Sequence, residues 1–110
     1  VAGGFTACKK IADFAYVNGI QTIPHVWGTA ISMSAALQLI ASLQSVPPVH
    51  KPLPGYQDPV FEFDNSENPL RLGLIENKDL FEIKNGYLKI SDAPGLGIEI
   101  DERKMESYKL

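Results

Sequence analysis

Cysteine is nearly absent from this 110-residue chain, where Cys8 stands alone. A single thiol excludes an internal disulfide framework and suits a reducing compartment, so a cytoplasmic location is expected. Charge of neither sign is concentrated. Ten Lys and Arg against 13 Asp and Glu give a net charge of −3 and a pI of about 5.3. Without a basic cluster there is no electrostatic footprint for nucleic acid. No apolar run approaches the ~20 residues of a membrane-spanning helix, so no membrane partner is expected. The opening residues, Val1-Ala-Gly-Gly4, include no methionine and no basic-then-apolar leader pattern. They read as a chain that begins in mid-architecture.

What is present is ordinary globular material. Hydrophobic residues make up 45% and charged residues 21% of the chain. The length predicts a single domain or a piece of one, able to bury roughly 65% of its unfolded surface.

Taken in order, Gly3 and Gly4 form a lead-in that permits a tight turn, and Thr6 is a candidate helix cap. Gly-Gly before a helix is also readable as an anion cradle, but two glycines without a longer fingerprint are a weak signal. Cys8, Ile11, Ala12 and Ala15 recur at helical spacing, with Lys9 and Asp13 one turn apart, which predicts a helix from Ala7 to Asn18 closed by Asn18-Gly19. Ile20 to Pro24 then predicts a short strand, with Pro24 tolerable as its last residue. The helix–Gly–strand order is that of an αβ unit.

His25 stands where that strand stops, just ahead of Trp27 and a long apolar segment. An imidazole titrates near neutrality and can take or give a proton. At the carboxyl end of a strand in an α/β barrel it would face the active site. The plainer reading is a hydrogen-bonded, inert strand-end residue. Gly28 to Ser45 predicts an uncharged helix with an apolar stripe of Met33, Ala36, Leu37, Ile40 and Leu43, widened by Ile31, Ala35 and Leu39. A helix so poor in charge is expected to be covered on more than one side. The proline-rich stretch 46–59 is a connection, and His50 on it reads as a solvated surface residue.

Val60-Phe-Glu-Phe63 predicts a second short strand, which carries Glu62. Its plain reading is a charge paired with a nearby cation; in a barrel it too would face the active site. In the following loop, Asn68 and Arg71 are within conceivable reach of a ligand, although a simple turn suffices. After Gly73 the pattern changes to alternation. Leu80–Lys84 and Tyr87–Ile90 flank Asn85-Gly86, a type I′ hairpin signal. A strand at Ile98–Ile100 and a helix over 101–108 capped by Asp101 complete the reading. Gly95-Leu96-Gly97 is no nucleotide fingerprint, because no helix opens after it.

Four motifs occur in order: Gly3-Gly-Phe-Thr6, Pro24-His-Val-Trp-Gly28, Phe61-Glu-Phe-Asp64 and Pro94-Gly-Leu-Gly-Ile-Glu99. Together they resemble the C-terminal part of the enolase superfamily, in the mandelate racemase / muconate lactonizing enzyme family, and specifically the mandelate racemase subgroup with its acid-sugar dehydratases. The resemblance implies an α/β fold: the C-terminal fragment of a modified TIM (β/α) barrel, with residues 1–72 as its last βα units and 73–110 as a contribution to an α+β capping domain.

It further implies a magnesium ion and abstraction of the proton next to a carboxylate. His25 matches the subgroup's general base or acid at the seventh strand. Glu62 matches the acid at the eighth, which the resemblance implies helps hold the substrate carboxylate or enediolate oxygen through a hydrogen bond, and Trp27 is a candidate wall of the substrate pocket. The metal ligands, expected on the third to fifth strands, have no counterpart in this chain, and neither do the second-strand lysines or the aspartate that orients the histidine. The chain alone is therefore expected to be inactive and metal-free. The substrate expected for the whole enzyme is a small hydroxy or sugar acid, handled by dehydration or, with the same parts, by racemisation or epimerisation. Uncovered sheet edges and helix faces predict a homo-oligomer or partner chain, and a non-catalytic, self-associating domain is the alternative from a different class.

Overall fold

A computed structural model describes residues 2–45 and 60–109. The proline-rich connection and His50 lie outside the described residues. The elements are α1 (Phe5–Val17), α2 (Ala30–Ala41), α3 (Pro69–Gly73), a 3₁₀ turn (Lys78–Phe81) and α4 (Glu102–Glu106). The chain divides into two compact units, Val1–His25 with Ala36–Phe63, and Val26–Ala35 with Asp64–Leu110.

In the first unit, α1 forms where the sequence periodicity places it. Its N-cap is Gly4, with no side-chain cap, and Thr6 lies inside the first turn rather than capping it. Its carboxyl end closes as a Schellman motif. Gly19 N donates to the Tyr16 carbonyl and Ile20 N to that of Ala15, both at 2.9 Å. Lys9 and Asp13 pair one turn apart, as expected. Ala12 from α1 and Leu37, Leu39 and Ile40 from α2 are buried, whereas Ile11, Phe14 and Val17 leave an exposed apolar stripe on α1.

The strands expected at Ile20–Pro24 and Val60–Phe63 do not form. Among the described residues there are only two isolated bridges, Ile75 with Ile100 and Lys84 with Tyr87, both antiparallel. Parallel strands persist where neighbours occupy their edges and cover both faces. Here Ile20 and Ile23 are exposed, so that condition is unmet.

The second unit is organised around Ile75, whose side chain is fully buried. Glu76 N donates to the Glu99 carbonyl and Asp101 N to that of Leu74, both at 2.9 Å, and these bonds flank the Ile75–Ile100 bridge. The Asn77 amide extends this pairing, donating to the Gly97 carbonyl at 3.0 Å and accepting from Glu99 N at 2.8 Å. Ser34, a polar residue within the otherwise apolar α2, is buried and donates to the Leu96 carbonyl. The Pro94–Glu99 motif is thus held by its backbone. Gly97 has φ +72°, and a Cβ there would lie 2.6 Å from the Ser91 side chain, so only glycine fits without a shift.

Asn85 and Gly86 have φ 53° and 82°, and Lys84 and Tyr87 exchange two 2.9 Å bonds, which is the expected two-residue turn. The strands expected on either side reduce to that one bridge, because Lys78–Phe81 winds into the 3₁₀ turn and buries Phe81. The strand expected at Ile98–Ile100 likewise shrinks to the bridge at Ile100. Asp101 caps α4 as predicted, its carboxylate accepting from Lys104 N at 3.0 Å.

Candidate functional site

The two residues singled out for proton chemistry meet in the first unit. His25 Nδ1 lies 2.8 Å from Glu62 Oε2, a contact across 37 residues of chain. The pair is open to solvent, with 77% of the His25 and 52% of the Glu62 side chain accessible. The chain leaving the Schellman turn that ends α1 runs to His25 without regular secondary structure, and Glu62 sits between Phe61 and Phe63. Those two rings pack edge to face, with centroids 6.2 Å apart.

A carboxylate is only an acceptor. When Glu62 is ionised and bonded to Nδ1, that nitrogen carries the proton and Nε2 presents its lone pair. The pair can therefore accept a proton at Nε2 and hold the resulting cation beside an anion. From sequence, Glu62 is expected on a substrate oxygen and an aspartate elsewhere on the imidazole; in this structure Glu62 itself is the imidazole's partner.

Trp27 belongs to the other unit and is 72% exposed, while its neighbour Val26 is buried. Asn68 and Arg71 are engaged internally. Asn68 Oδ1 accepts from Leu70 N at 3.0 Å and caps α3. The Arg71 guanidinium donates to the Ser66 carbonyl at 2.7 Å, to the Ser66 hydroxyl at 3.2 Å and to Asp64. Asp64 also accepts from the Ser66 backbone N–H at 2.8 Å and from its hydroxyl at 2.9 Å. The Ser66 backbone bond first, then the Ser66 hydroxyl and Arg71, hold the Asp64 carboxyl below the usual carboxylate range.

Sequence reading did not single out this clamp. Its one local signal is Asp64-Asn65-Ser66, the spacing of an Asx turn. Gly4, from the Gly3-Gly4 lead-in, is the N-cap of α1, and its carbonyl accepts from Cys8 N at 3.1 Å.

Magnesium prefers a near-octahedral shell of oxygens. His25 and Glu62 offer one imidazole nitrogen and one carboxylate, and no group of three or more His, Cys, Asp or Glu suited to a metal occurs among the described residues. These residues do not by themselves fit that ion.

The model of the family described as enolase C-terminal domain-like matches residues 1–104. The chain belongs to that family. Membership supports a fragment of an α/β enolase-type fold, although the described residues are mainly helical and form no barrel strands. The chain is 37% identical to D-galactarolactone cycloisomerase of Agrobacterium fabrum over 98% of its own length and 27% of the relative's. It is 34% identical to arabinonate dehydratase of Saccharolobus solfataricus, over 97% and 25% of the two lengths. With D-galactonate dehydratase of Cronobacter sakazakii the identity is 30% over 94% and 25%. The chain thus spans about a quarter of the length of these curated relatives. No solved structure matches it. No helix among the described residues is long and apolar enough to cross a membrane.

Proposed function

We propose that this chain is the C-terminal segment of an enolase-superfamily enzyme that removes the proton alpha to the carboxylate of a sugar acid and then eliminates water. The observation that carries this reading is the 2.8 Å contact of His25 Nδ1 with Glu62 Oε2. Glu62 holds the Nδ1 proton and so fixes the tautomer in which Nε2 presents its lone pair. Nε2 takes the alpha proton, and the C–H electron pair passes into the carboxylate as an enediolate. That pair returns to expel the beta hydroxyl, which leaves as water with the proton from Nε2. The resulting enol tautomerises to the keto acid.

The dehydratases among the relatives support this class of substrate. The cycloisomerase favours a second reading, isomerisation with the same proton transfer. Residues 1–72 would be the last βα units of the barrel and 73–110 part of the capping domain, with Trp27 on the pocket wall. The magnesium that the family resemblance implies would be held by residues outside those described. The chain alone is then inactive, and the α1 stripe is expected to be covered in the assembled protein.

The test is His25→Asn in the full-length polypeptide, with galactonate in deuterated buffer as probe. Exchange of the alpha proton is expected to fall by about 10²- to 10⁴-fold, with the circular dichroism spectrum unchanged. Undiminished exchange would remove His25 from the mechanism.

A further inference from the structure

The second unit holds a cleft of about 580 Å³ lined by α3 and its lead-in, Lys78, Lys104 and Tyr108. None of its lining residues belongs to the unit that carries the His25–Glu62 pair. We propose that this cleft binds a doubly charged oxyanion, a phosphate group in particular.

The first argument is sign. The chain carries a net charge of −3, yet Lys78 and Lys104 converge here from separate segments beside the Asp64-paired Arg71, and no carboxylate is among the described residues that line the cleft. Such a local inversion gathers anions against the field of the whole chain.

The second argument is what the neighbouring acids are doing. Asp64 is engaged by Arg71 and by two bonds from Ser66. Asp101 uses one oxygen to cap α4, and its other lies 3.9 Å from Lys104 Nζ, beyond hydrogen-bond range. The Lys104 ammonium is therefore only loosely held. Lys78 is exposed at the start of the 3₁₀ turn, and none of the ion pairs among the described residues involves it.

The third argument is hydrogen-bond sense. Asn68 turns its oxygen to the α3 backbone, which leaves its amide nitrogen as a donor. With two ammonium groups and the Tyr108 hydroxyl, the free polar groups are mostly donors, the complement of a tetrahedral oxyanion. The volume falls within the range of small-molecule sites and would admit a phosphate on a sugar-sized body.

The experiment follows backbone amide resonances of Lys78, Lys104 and Tyr108 in the polypeptide that carries this chain, titrated with inorganic phosphate and, at matched ionic strength, with potassium chloride or galactonate. Saturable shifts confined to these residues are expected with phosphate. Lys78→Ala with Lys104→Ala is expected to weaken binding by about tenfold, while Lys89→Ala, on another exposed lysine, leaves it unchanged. Both cleft substitutions are at exposed positions, and an unchanged amide spectrum elsewhere reports that the fold is intact. Shifts that match those with chloride, or that survive the double substitution, would overturn the site. A stronger response to galactonate than to phosphate would overturn the assignment to a dianion.

Discussion

Two acid–base pairs in this protein share a chemistry and differ in surroundings. In the first unit His25 and Glu62 meet in the open, with 77% and 52% of their side chains accessible. In the second unit Arg71 and Asp64 meet with 10% and 22% accessible, and Ser66 satisfies both from the side. An exposed pair is screened and adds little to stability. Its groups remain free to reach a substrate. A sheltered pair whose groups bond one another and Ser66 fixes a loop. The same contrast extends outward. The second unit is tied by Asn77, Ser34 and the fully buried Ile75, whereas the first leaves Ile11, Phe14 and Val17 uncovered.

The contrast predicts that activity and stability separate by region. The sharpest case is His25→Asn. Beyond its loss of proton exchange, its urea midpoint should correspond to a change of no more than about 0.5 kcal/mol, as for other surface substitutions. A large destabilisation would make the exposed pair a structural one. Next comes Ile75→Ala, which opens a cavity at the centre of the second unit and is expected to cost about 3 kcal/mol in urea unfolding. A cost near zero would mean that Ile75 is not the core of that unit.

Asn77→Ala removes both ties to the Gly97–Glu99 backbone and should cost about 2 kcal/mol, with faster hydrogen exchange at the Glu99 amide. Unaltered exchange there would separate Asn77 from the motif. The smallest effect is a titration. Because the Asp64 carboxyl is depressed when folded, its stabilisation is complete above the unfolded value and is lost as pH falls through the folded one, on the acid side of the usual carboxylate range. Ser66→Ala deletes the hydroxyl bond and should move the Asp64 carboxyl resonance midpoint upward. If Asp64 already titrates with the exposed carboxylates in the unsubstituted protein, the clamp is weaker than its geometry implies.

Much of this was legible in residues close together in the chain. The spacing of Cys8, Ile11, Ala12 and Ala15 locates α1, Asn85-Gly86 locates the tight turn, and Asp101 locates the α4 cap. The four spaced motifs indicate the family. The strands were not legible, since Ile20–Pro24 and Val60–Phe63 have the composition of strands, yet Ile20 and Ile23 stay exposed and neither segment carries a β-bridge among the described residues. The burial of Ser34 was not legible either, because the group that satisfies it comes from the fold: Leu96 lies 62 residues away.

The sequence by itself determined α1, α2 and α4, the Asn85-Gly86 turn, the charge balance and the family, since each depends on side chains within a few residues of one another or on an ordered set of short motifs. Only the tertiary structure decided that Glu62 is the partner of His25 and that Asp64 is the partner of Arg71. It alone decided that the Pro94–Glu99 loop is held by Asn77 and Ser34. The reason is physical: a local bond is fixed by backbone geometry at once, whereas a contact across 37 residues exists only after the chain between has been closed.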